Sequence, residues 1–153
     1  QTVREHRGEL AGRIVAFVGD GACNMGNSWL VAGATAGMHV RVSAPESHEP
    51  APEMVARAQA VAATTGGSAT LVRDPRAAVS GADVVVTDTW VSMGKETEAA
   101  QRLAAFAEYT VTTDLLALAD PAEVHAMILR GFPCFLFWMG TGRAPPGAIS
   151  SAS

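Results

Sequence analysis

Two short polar segments of this sequence each follow an apolar run and contain residue types that bind small polar ligands. The first covers residues 19–26, Gly-Asp-Gly-Ala-Cys-Asn-Met-Gly, directly after Ile-Val-Ala-Phe-Val. Asn24 could cap a following helix, and its amide also offers a hydrogen-bond donor and an acceptor to a ligand. We therefore treat Asn24 as a candidate ligand-binding residue.

The second segment covers residues 87–94, Thr-Asp-Thr-Trp-Val-Ser-Met-Gly, after a run of three valines. The carboxylate of Asp88 suits an ammonium group, while Ser92 and the backbone amides that follow it suit a carboxylate. Alternatively, Asp88 only ends a strand and caps the next segment. Because residue types of this kind are so dense, the two segments together predict a site for an amino acid.

The first segment also contains the Gly-x-Gly of a dinucleotide site. Asn24 stands where the third glycine should be and Gly26 comes two residues late, which leaves a dinucleotide-binding domain only as an alternative. The simpler interpretation is that Gly19 and Gly21 make a strand-to-helix turn. We expect no cofactor.

Other reactive side chains give weaker signals. Cys23 could be a nucleophile at a helix start, but without a spaced His or acid it is better interpreted as a small packed thiol. Four histidines without paired spacing predict surface or turn positions and no metal site: His6, His39, His48 and His125. Four charged residues predict a solvated helix face: Lys95, Glu96, Glu98 and Arg102.

Strands and helices alternate along the chain in a way that positions both polar segments. Short apolar or β-branched runs predict five strands, near residues 14–18, 40–45, 69–72, 82–88 and 127–129. Helical patterns cover residues 25–37, 52–66, 75–79 and 97–106, and Asp114 is predicted to cap a short helix that reaches Leu118. The alternation indicates an α/β fold, a single doubly wound parallel sheet of the Rossmann-like type. Ligands bind such a sheet at the carboxyl ends of its strands, where both segments lie.

The composition narrows the classes of partner. The 153 residues suffice for one domain with its own core, and a net charge of -4 from 11 basic and 15 acidic residues gives no face for nucleic acid. No apolar stretch reaches the roughly 20 residues of a membrane span. Two cysteines form neither a disulfide framework nor a zinc cluster, which favours a cytoplasmic location.

The two ends of the sequence are unusual in different ways. Residues 1–7 have the character of the last turns of a helix that Gly8 ends, and a helix without a beginning suggests a cut chain. Residues 141–153 are mostly Gly, Ala, Pro and Ser, which predicts a flexible tail after a domain of residues 1–140.

The chain resembles the second, ornithine-binding domain of the ornithine carbamoyltransferase family, from about residue 3 to about residue 118. Six motifs carry the resemblance: Arg-Glu at residues 4–5, Gly-Asp-Gly at 19–21, Asn-Met-Gly-Asn-Ser at 24–28, Ala-Pro-Glu at 44–46, Gly-Ala-Asp at 81–83 and the whole of residues 87–94. The last motif is the most specific, because Ser-Met-Gly after Asp-Thr-Trp distinguishes ornithine enzymes from aspartate enzymes in the wider family.

The resemblance implies a reaction and its participants. Members of the family transfer the carbamoyl group of carbamoyl phosphate to L-ornithine, giving L-citrulline and phosphate, without a metal. Asn24, Asp88, Ser92 and Met93 match the residues that hold the α-amino and α-carboxylate groups of ornithine. The resemblance also implies a homotrimer with shared active sites and a role in arginine biosynthesis. It singles out no catalytic residue in this chain.

Three features differ from a complete family member. The carbamoyl phosphate domain, with its Ser-Thr-Arg-Thr-Arg phosphate loop, is expected before residue 1 and is missing from the chain. Residues 130–133 are Arg-Gly-Phe-Pro where the family has His-Cys-Leu-Pro, and Cys23 replaces the first asparagine of a family pair. The run Phe-Leu-Phe-Trp-Met at residues 135–139 looks exposed and would suit a partner surface. A noncatalytic remnant that keeps an interaction surface is therefore the alternative to an ornithine-binding half.

Overall fold

The computed structural model describes residues 2–90 and 96–119, together with the backbone of two strands at 125–130 and 135–139. The regular elements follow one another in this order: α1 Thr2–Arg7, β1 Ile14–Val18, α2 Asn24–Thr35, β2 His39–Ser43, α3 Pro52–Thr65, β3 Ser68–Leu71, α4 Pro75–Val79, β4 Val84–Asp88, α5 Ala99–Phe106, α6 Thr113–Leu116, β5 His125–Arg130 and β6 Phe135–Met139. Short 3-10 turns cover Glu46–His48, Glu96–Glu98 and Ala107–Tyr109. The alternation of strands and helices that the sequence predicts is confirmed.

The six strands form one sheet in the order β3-β2-β1-β4-β5-β6. The first five strands are parallel, while β6 pairs antiparallel with β5. The α/β fold class is therefore confirmed, and β6 is an addition, because the apolar run at residues 135–139 was not among the predicted strands. Its predicted exposure, like the predicted tail at residues 141–153, lies outside the described part of the chain.

Helices cover both faces of the sheet. On one face, side chains of β1, β2 and β4 pack with α2 and α3, in a cluster that includes Phe17, Leu30 and Val42. On the other face, Val18 and Val85 pack with Val79 of α4 and with the α6 region. Because both faces are covered, the central strand β1 is wholly apolar and its neighbour β4 begins with three valines. The buried strands thus give the carboxyl edge of the sheet a rigid base.

The order in which strands are added to the sheet reverses at β1. From β1 the chain moves outward to β2 and β3, and it then returns to add β4 on the other side of β1. Val18 is aligned with Thr87 in the β1–β4 pair, so the loops after these two strands start at the same level. This is the position at which doubly wound sheets bind ligands.

Two helix ends test the predictions on capping. Gly8 follows α1 with a φ of 71°, which confirms its role at the end of that helix. The prediction that Asp114 caps the short helix reaching Leu118 is wrong: the helix is α6, and its cap is Thr112. Thr112 has the extended backbone of a cap, and its hydroxyl accepts a hydrogen bond from the backbone N of Leu115 at 3.2 Å. Asp114 lies one residue inside α6 and is exposed.

The Thr112→Ala variant is expected to lower the free energy of unfolding by about 1 kcal/mol, because the cap of α6 is lost. Urea unfolding followed by circular dichroism measures this change. Asp114→Ala is the matched control, since it removes only a charge in the first turn and is expected to change stability by about 0.5 kcal/mol or less. A larger loss for Asp114→Ala than for Thr112→Ala would contradict this assignment of the cap.

Candidate functional site

The loops that follow β1 and β4 touch each other at the carboxyl edge of the sheet. The Sγ of Cys23 donates a hydrogen bond to Oδ2 of Asp88 at 3.5 Å. The other carboxylate oxygen of Asp88 accepts a hydrogen bond from the backbone N of Thr89 at 2.7 Å. Asp88 thus ends β4 and accepts a hydrogen bond from the residue that follows it. It is also half-buried, beside the first polar segment. A carboxylate in this position is shielded in part from water.

Close packing explains the glycines of the first loop. A Cβ on Gly26 would lie 2.7 Å from the backbone O of Gly21 and 2.9 Å from the backbone O of Asp20. A Cβ on Gly21 would lie 2.8 Å from Pro50, and Gly19 has a φ of 141°, in the region that favours glycine. These glycines let α2 begin close to the loop. They need no nucleotide to account for them.

The N-terminus of α2 is capped by Cys23 rather than by Asn24. Cys23 has extended backbone angles, and its Sγ accepts a hydrogen bond from the backbone N of Gly26 at 3.3 Å. Asn24 is the first residue of α2, and its side chain is exposed. The capping interpretation of Asn24 is wrong because the extended cap position falls one residue earlier. The exposed amide of Asn24 lies instead at the positive end of the helix dipole.

A buried ion pair lies beneath the two loops. Arg102 of α5 donates through Nη2 to Oδ2 of Asp20, and the two residues are 8% and 7% exposed. The Nε of Arg102 donates to the backbone O of Trp90, and its Nη1 lies 3.3 Å from Nε2 of His48. The prediction of a solvated helix face is therefore wrong for Arg102. A buried guanidinium needs several partners to offset its lost hydration, and the three loops supply them.

Aromatic rings surround this ion pair. Phe106 is fully buried, stacks on Trp90 with 5.7 Å between ring centroids and contacts the ring of His48 at 4.7 Å. His48 is therefore a packed residue beside the site, not only a turn residue. One signal in the sequence could have revealed Arg102, since Phe106 follows it by four residues and so shares its helix face.

Two of the four predicted ligand-binding residues fall within the described chain. Asn24 and Asp88 belong to the two loops that meet, and their chain neighbours Cys23 and Thr89 bond to Asp88. Ser92 and Met93 lie outside the described residues, and their roles stay predictions. Among the described residues, no group of three or more His, Cys, Asp and Glu side chains could hold a metal ion. None of the described helices is long and apolar enough to cross a membrane.

Comparison with known proteins identifies the family. Residues 11–135 match the family model of the aspartate/ornithine carbamoyltransferases, specifically the domain that binds aspartate or ornithine. This chain belongs to that family. The match also includes residues 130–133, beyond the stretch in which the resemblance was expected to be clear.

Relatives with curated names point to the ornithine branch of the family. The chain is 58% identical over 128 residues to ornithine carbamoyltransferase of Clavibacter michiganensis subsp. michiganensis, which covers 82% of this chain and 42% of that protein. It is 56% identical over 132 residues to the enzyme of the same name from Leifsonia xyli subsp. xyli, covering 86% and 42%. The chain therefore spans about two fifths of the length of these relatives.

Solved structures of the family share this fold. Ornithine carbamoyltransferase from Pyrococcus furiosus aligns with a TM-score of 0.75 and 40% identity, over 84% of this chain and 40% of that chain. Anabolic ornithine carbamoyltransferase from Campylobacter jejuni aligns with a TM-score of 0.74 and 30% identity, over 90% and 44%. The fold of this chain is thus shared with part of each of these solved ornithine carbamoyltransferases.

A cavity of about 350 Å³ beside α1 and α2 is a different kind of site. Its lining is apolar apart from Ser28 and includes Val3, Leu10, Trp29 and Met38. A lining of this kind cannot offset the lost hydration of a zwitterionic amino acid. The polar loops after β1 and β4 therefore remain the candidate site of this carbamoyltransferase domain.

Burial raises the pKa of the Cys23 thiol to about 11, and the carboxylates of Asp88 and Asp20 add to the effect. At pH 8 the thiol should therefore contain about 100-fold less thiolate than one with the ordinary pKa of 9.0. Alkylation of Cys23 by iodoacetamide is expected to be slow at pH 8 and to accelerate about tenfold per pH unit up to about pH 11. Peptide mass spectrometry measures the modification of this residue alone.

The Asp88→Asn variant supplies a control for this titration. Removal of the neighbouring negative charge should lower the pKa of Cys23 and speed its alkylation at pH 8. The experiment is done with Cys134→Ser in both proteins, so that a single thiol reacts. A half-maximal rate near pH 9 in the folded protein would show that Cys23 is not shielded as described, and would favour the alternative of a reactive nucleophile.

Proposed function

We propose that this chain is the ornithine-binding half of an ornithine carbamoyltransferase, which transfers the carbamoyl group of carbamoyl phosphate to L-ornithine and yields L-citrulline and phosphate. The observation that carries the proposal is the half-buried carboxylate of Asp88, which contacts Cys23 at the start of α2. This contact lies between β1 and β4, where the strand order of the sheet reverses. The two relatives described above, both named ornithine carbamoyltransferase, support the same substrate.

The charges at this edge suit both ends of an amino acid. Asp88 would pair with the α-ammonium group through a charge-assisted hydrogen bond. The exposed amide of Asn24, at the positive end of α2, favours the α-carboxylate, because helix N-termini attract anions. Ser92 and Met93, which match the family motif, would complete the grip on the α-carboxylate and α-amino groups.

The chemistry then depends on where the side-chain amine of ornithine is held. That amine resembles a lysine, with an ordinary pKa of about 10.4, so it must lose a proton before it attacks the carbamoyl carbon. A C–N bond forms in a tetrahedral intermediate, and the C–O bond to phosphate then breaks. This chain would contribute orientation of the nucleophile, which lowers the barrier by fixing the reactants close together. Carbamoyl phosphate would be bound by the separate domain.

Several broader properties belong to the same proposal. The domain would comprise residues 1–140, with residues 141–153 as a tail. The whole protein would be a cytoplasmic homotrimer that acts in arginine biosynthesis, as the family resemblance implies.

Titration calorimetry with L-ornithine, L-norvaline and L-aspartate tests the proposed ligand. We expect heat from ornithine and from norvaline, which keeps the α-amino and α-carboxylate groups, and none from aspartate, because its second carboxylate adds a negative charge beside Asp88. Binding of aspartate instead would place the chain in the other branch of the family, and no heat from any of the three would refute the proposal. Turnover of carbamoyl phosphate to citrulline is assayed separately, because turnover by this chain alone would exclude the noncatalytic remnant.

The dinucleotide alternative is weakened by the same geometry. A dinucleotide would place its pyrophosphate at the N-terminus of α2. There the carboxylate of Asp88 contacts the cap residue Cys23 at 3.5 Å, and a pyrophosphate, unlike a zwitterionic amino acid, carries no ammonium group to offset that negative charge. A fluorescence titration with NADH is expected to give no change.

A further inference from the structure

Arg102 touches the loops after three different strands. It donates to Asp20 after β1 and to the backbone O of Trp90 after β4, and it contacts His48 after β2. Its guanidinium also lies 5.3 Å from the ring centroid of Phe106. One buried side chain thus joins the ends of three neighbouring strands.

The two main partners of Arg102 lie next to the candidate ligand-binding residues. Asp20 accepts through Oδ1 from the backbone N of Ala22 at 3.1 Å, directly before Cys23 and Asn24. Trp90 lies two residues after Asp88 and two before Ser92. The two described candidates, Asn24 and Asp88, therefore lie within four residues in the sequence of a residue that Arg102 contacts.

The shape of the guanidinium group makes this arrangement hard to replace. Nε, Nη1 and Nη2 each face a different partner, and the planar fork fixes the angles between them. A lysine in the same position would keep the charge but could not satisfy the three loops at once. The geometry is therefore specific to arginine, not only to a positive charge.

We propose that Arg102 is a positioning residue that fixes the loops after β1 and β4 relative to each other and thereby sets the affinity of the site. This role rests on the proposed function only for the identity of the ligand. The positioning itself acts through Asp20 and Trp90, without contact between Arg102 and the ligand.

Hydrogen exchange and ornithine titration of Arg102→Lys test the two parts separately. In the free protein, the amides of Ala22 and Thr89 are expected to exchange at least about tenfold faster than in the wild type, because the loops open locally more often. The dissociation constant for L-ornithine is expected to rise at least about tenfold. In Arg102→Ala, millimolar methylguanidinium is expected to restore part of both properties.

Arg13→Lys is the matched control, because Arg13 makes an arginine–aspartate pair at the opposite edge of the sheet. Its Nη1 lies 3.0 Å from Oδ1 of Asp83, at the amino ends of β1 and β4. This variant is expected to lose less thermal stability, because the Arg13 side chain is 35% exposed, while exchange at Ala22 and Thr89 and the ornithine affinity stay unchanged.

The outcomes separate the two proposals. Unchanged exchange at Ala22 and Thr89 in folded Arg102→Lys would overturn the positioning role, whatever the ligand. Equal effects of Arg13→Lys and Arg102→Lys would also overturn it, since the role would then be only structural. If the wild type binds no ornithine while Arg102→Lys alone speeds exchange, the proposed function fails and the positioning role is upheld.

Discussion

Asp88→Asn is expected to weaken the binding of L-ornithine by about 100-fold, which corresponds to about 2.7 kcal/mol. The asparagine keeps an acceptor for the backbone N of Thr89, so the loop should retain its conformation. What is lost is the negative charge that pairs with the α-ammonium group, in a position partly shielded from water. Titration calorimetry measures the affinity, and the stability of the variant is expected to lie within about 1 kcal/mol of the wild type.

Asp83→Asn is the control for that variant, because Asp83 precedes the same strand that Asp88 ends. Its carboxylate pairs with Arg13 at 3.0 Å and accepts from the backbone N of Ile14 at 2.8 Å. The change is expected to lower stability by about 1 kcal/mol and to leave the ornithine affinity as it is. Normal affinity in Asp88→Asn would remove this carboxylate from the ligand-binding site.

Gly26→Ala is expected to lower the free energy of unfolding by about 3 kcal/mol, at the upper end for an overpacked position. The three nearest atoms to the added methyl group are backbone atoms of Asp20 and Gly21, between 2.7 and 2.9 Å away, and none can move as a side chain could. The start of α2 must therefore shift, and the ornithine affinity is expected to fall with the stability. Urea unfolding and ligand titration measure the two losses.

Gly66→Ala separates packing from backbone conformation. Gly66 follows α3 with a φ of 80°, and nothing lies within 4 Å of its virtual Cβ. Its replacement is expected to destabilise by about 1 kcal/mol through the left-handed conformation alone and to leave ligand binding intact. Equal losses in Gly26→Ala and Gly66→Ala would contradict the close packing of α2 against the first loop.

The sequence predicted most of the fold because strands and helices of this type have local signatures. The apolar run at residues 14–18 is strand β1 within its predicted bounds, and α4 matches residues 75–79. The first residue of a helix is harder to predict, because it depends on which single residue makes the capping hydrogen bond. Thr and Asp are both preferred capping residues, and Asn is preferred over Cys. The extended backbone angles nevertheless place the caps at Thr112 and Cys23.

The candidate site was predicted in part. The motif at residues 87–94 and Asn24 predicted the edge of the sheet at which the candidate site lies, since polar residues that follow buried strands lie at the carboxyl end of a parallel sheet. The order of the strands was needed to place the two loops side by side, because β1 and β4 are separated by two further strands in the sequence. The contact between Cys23 and Asp88 joins residues 65 positions apart.

By itself, the sequence determined the α/β class, the elements before residue 119 and the residue types of the two polar loops, because these depend on neighbours within a few positions. Only the tertiary structure decided that Arg102 is buried. This residue shares a helix with exposed residues but pairs with Asp20, 82 positions away. Burial of a charge depends on the partners that the fold brings to it, and a pattern along the chain does not contain them. The edge strand β6 was likewise not predicted from the sequence, and the structure shows it paired antiparallel with β5.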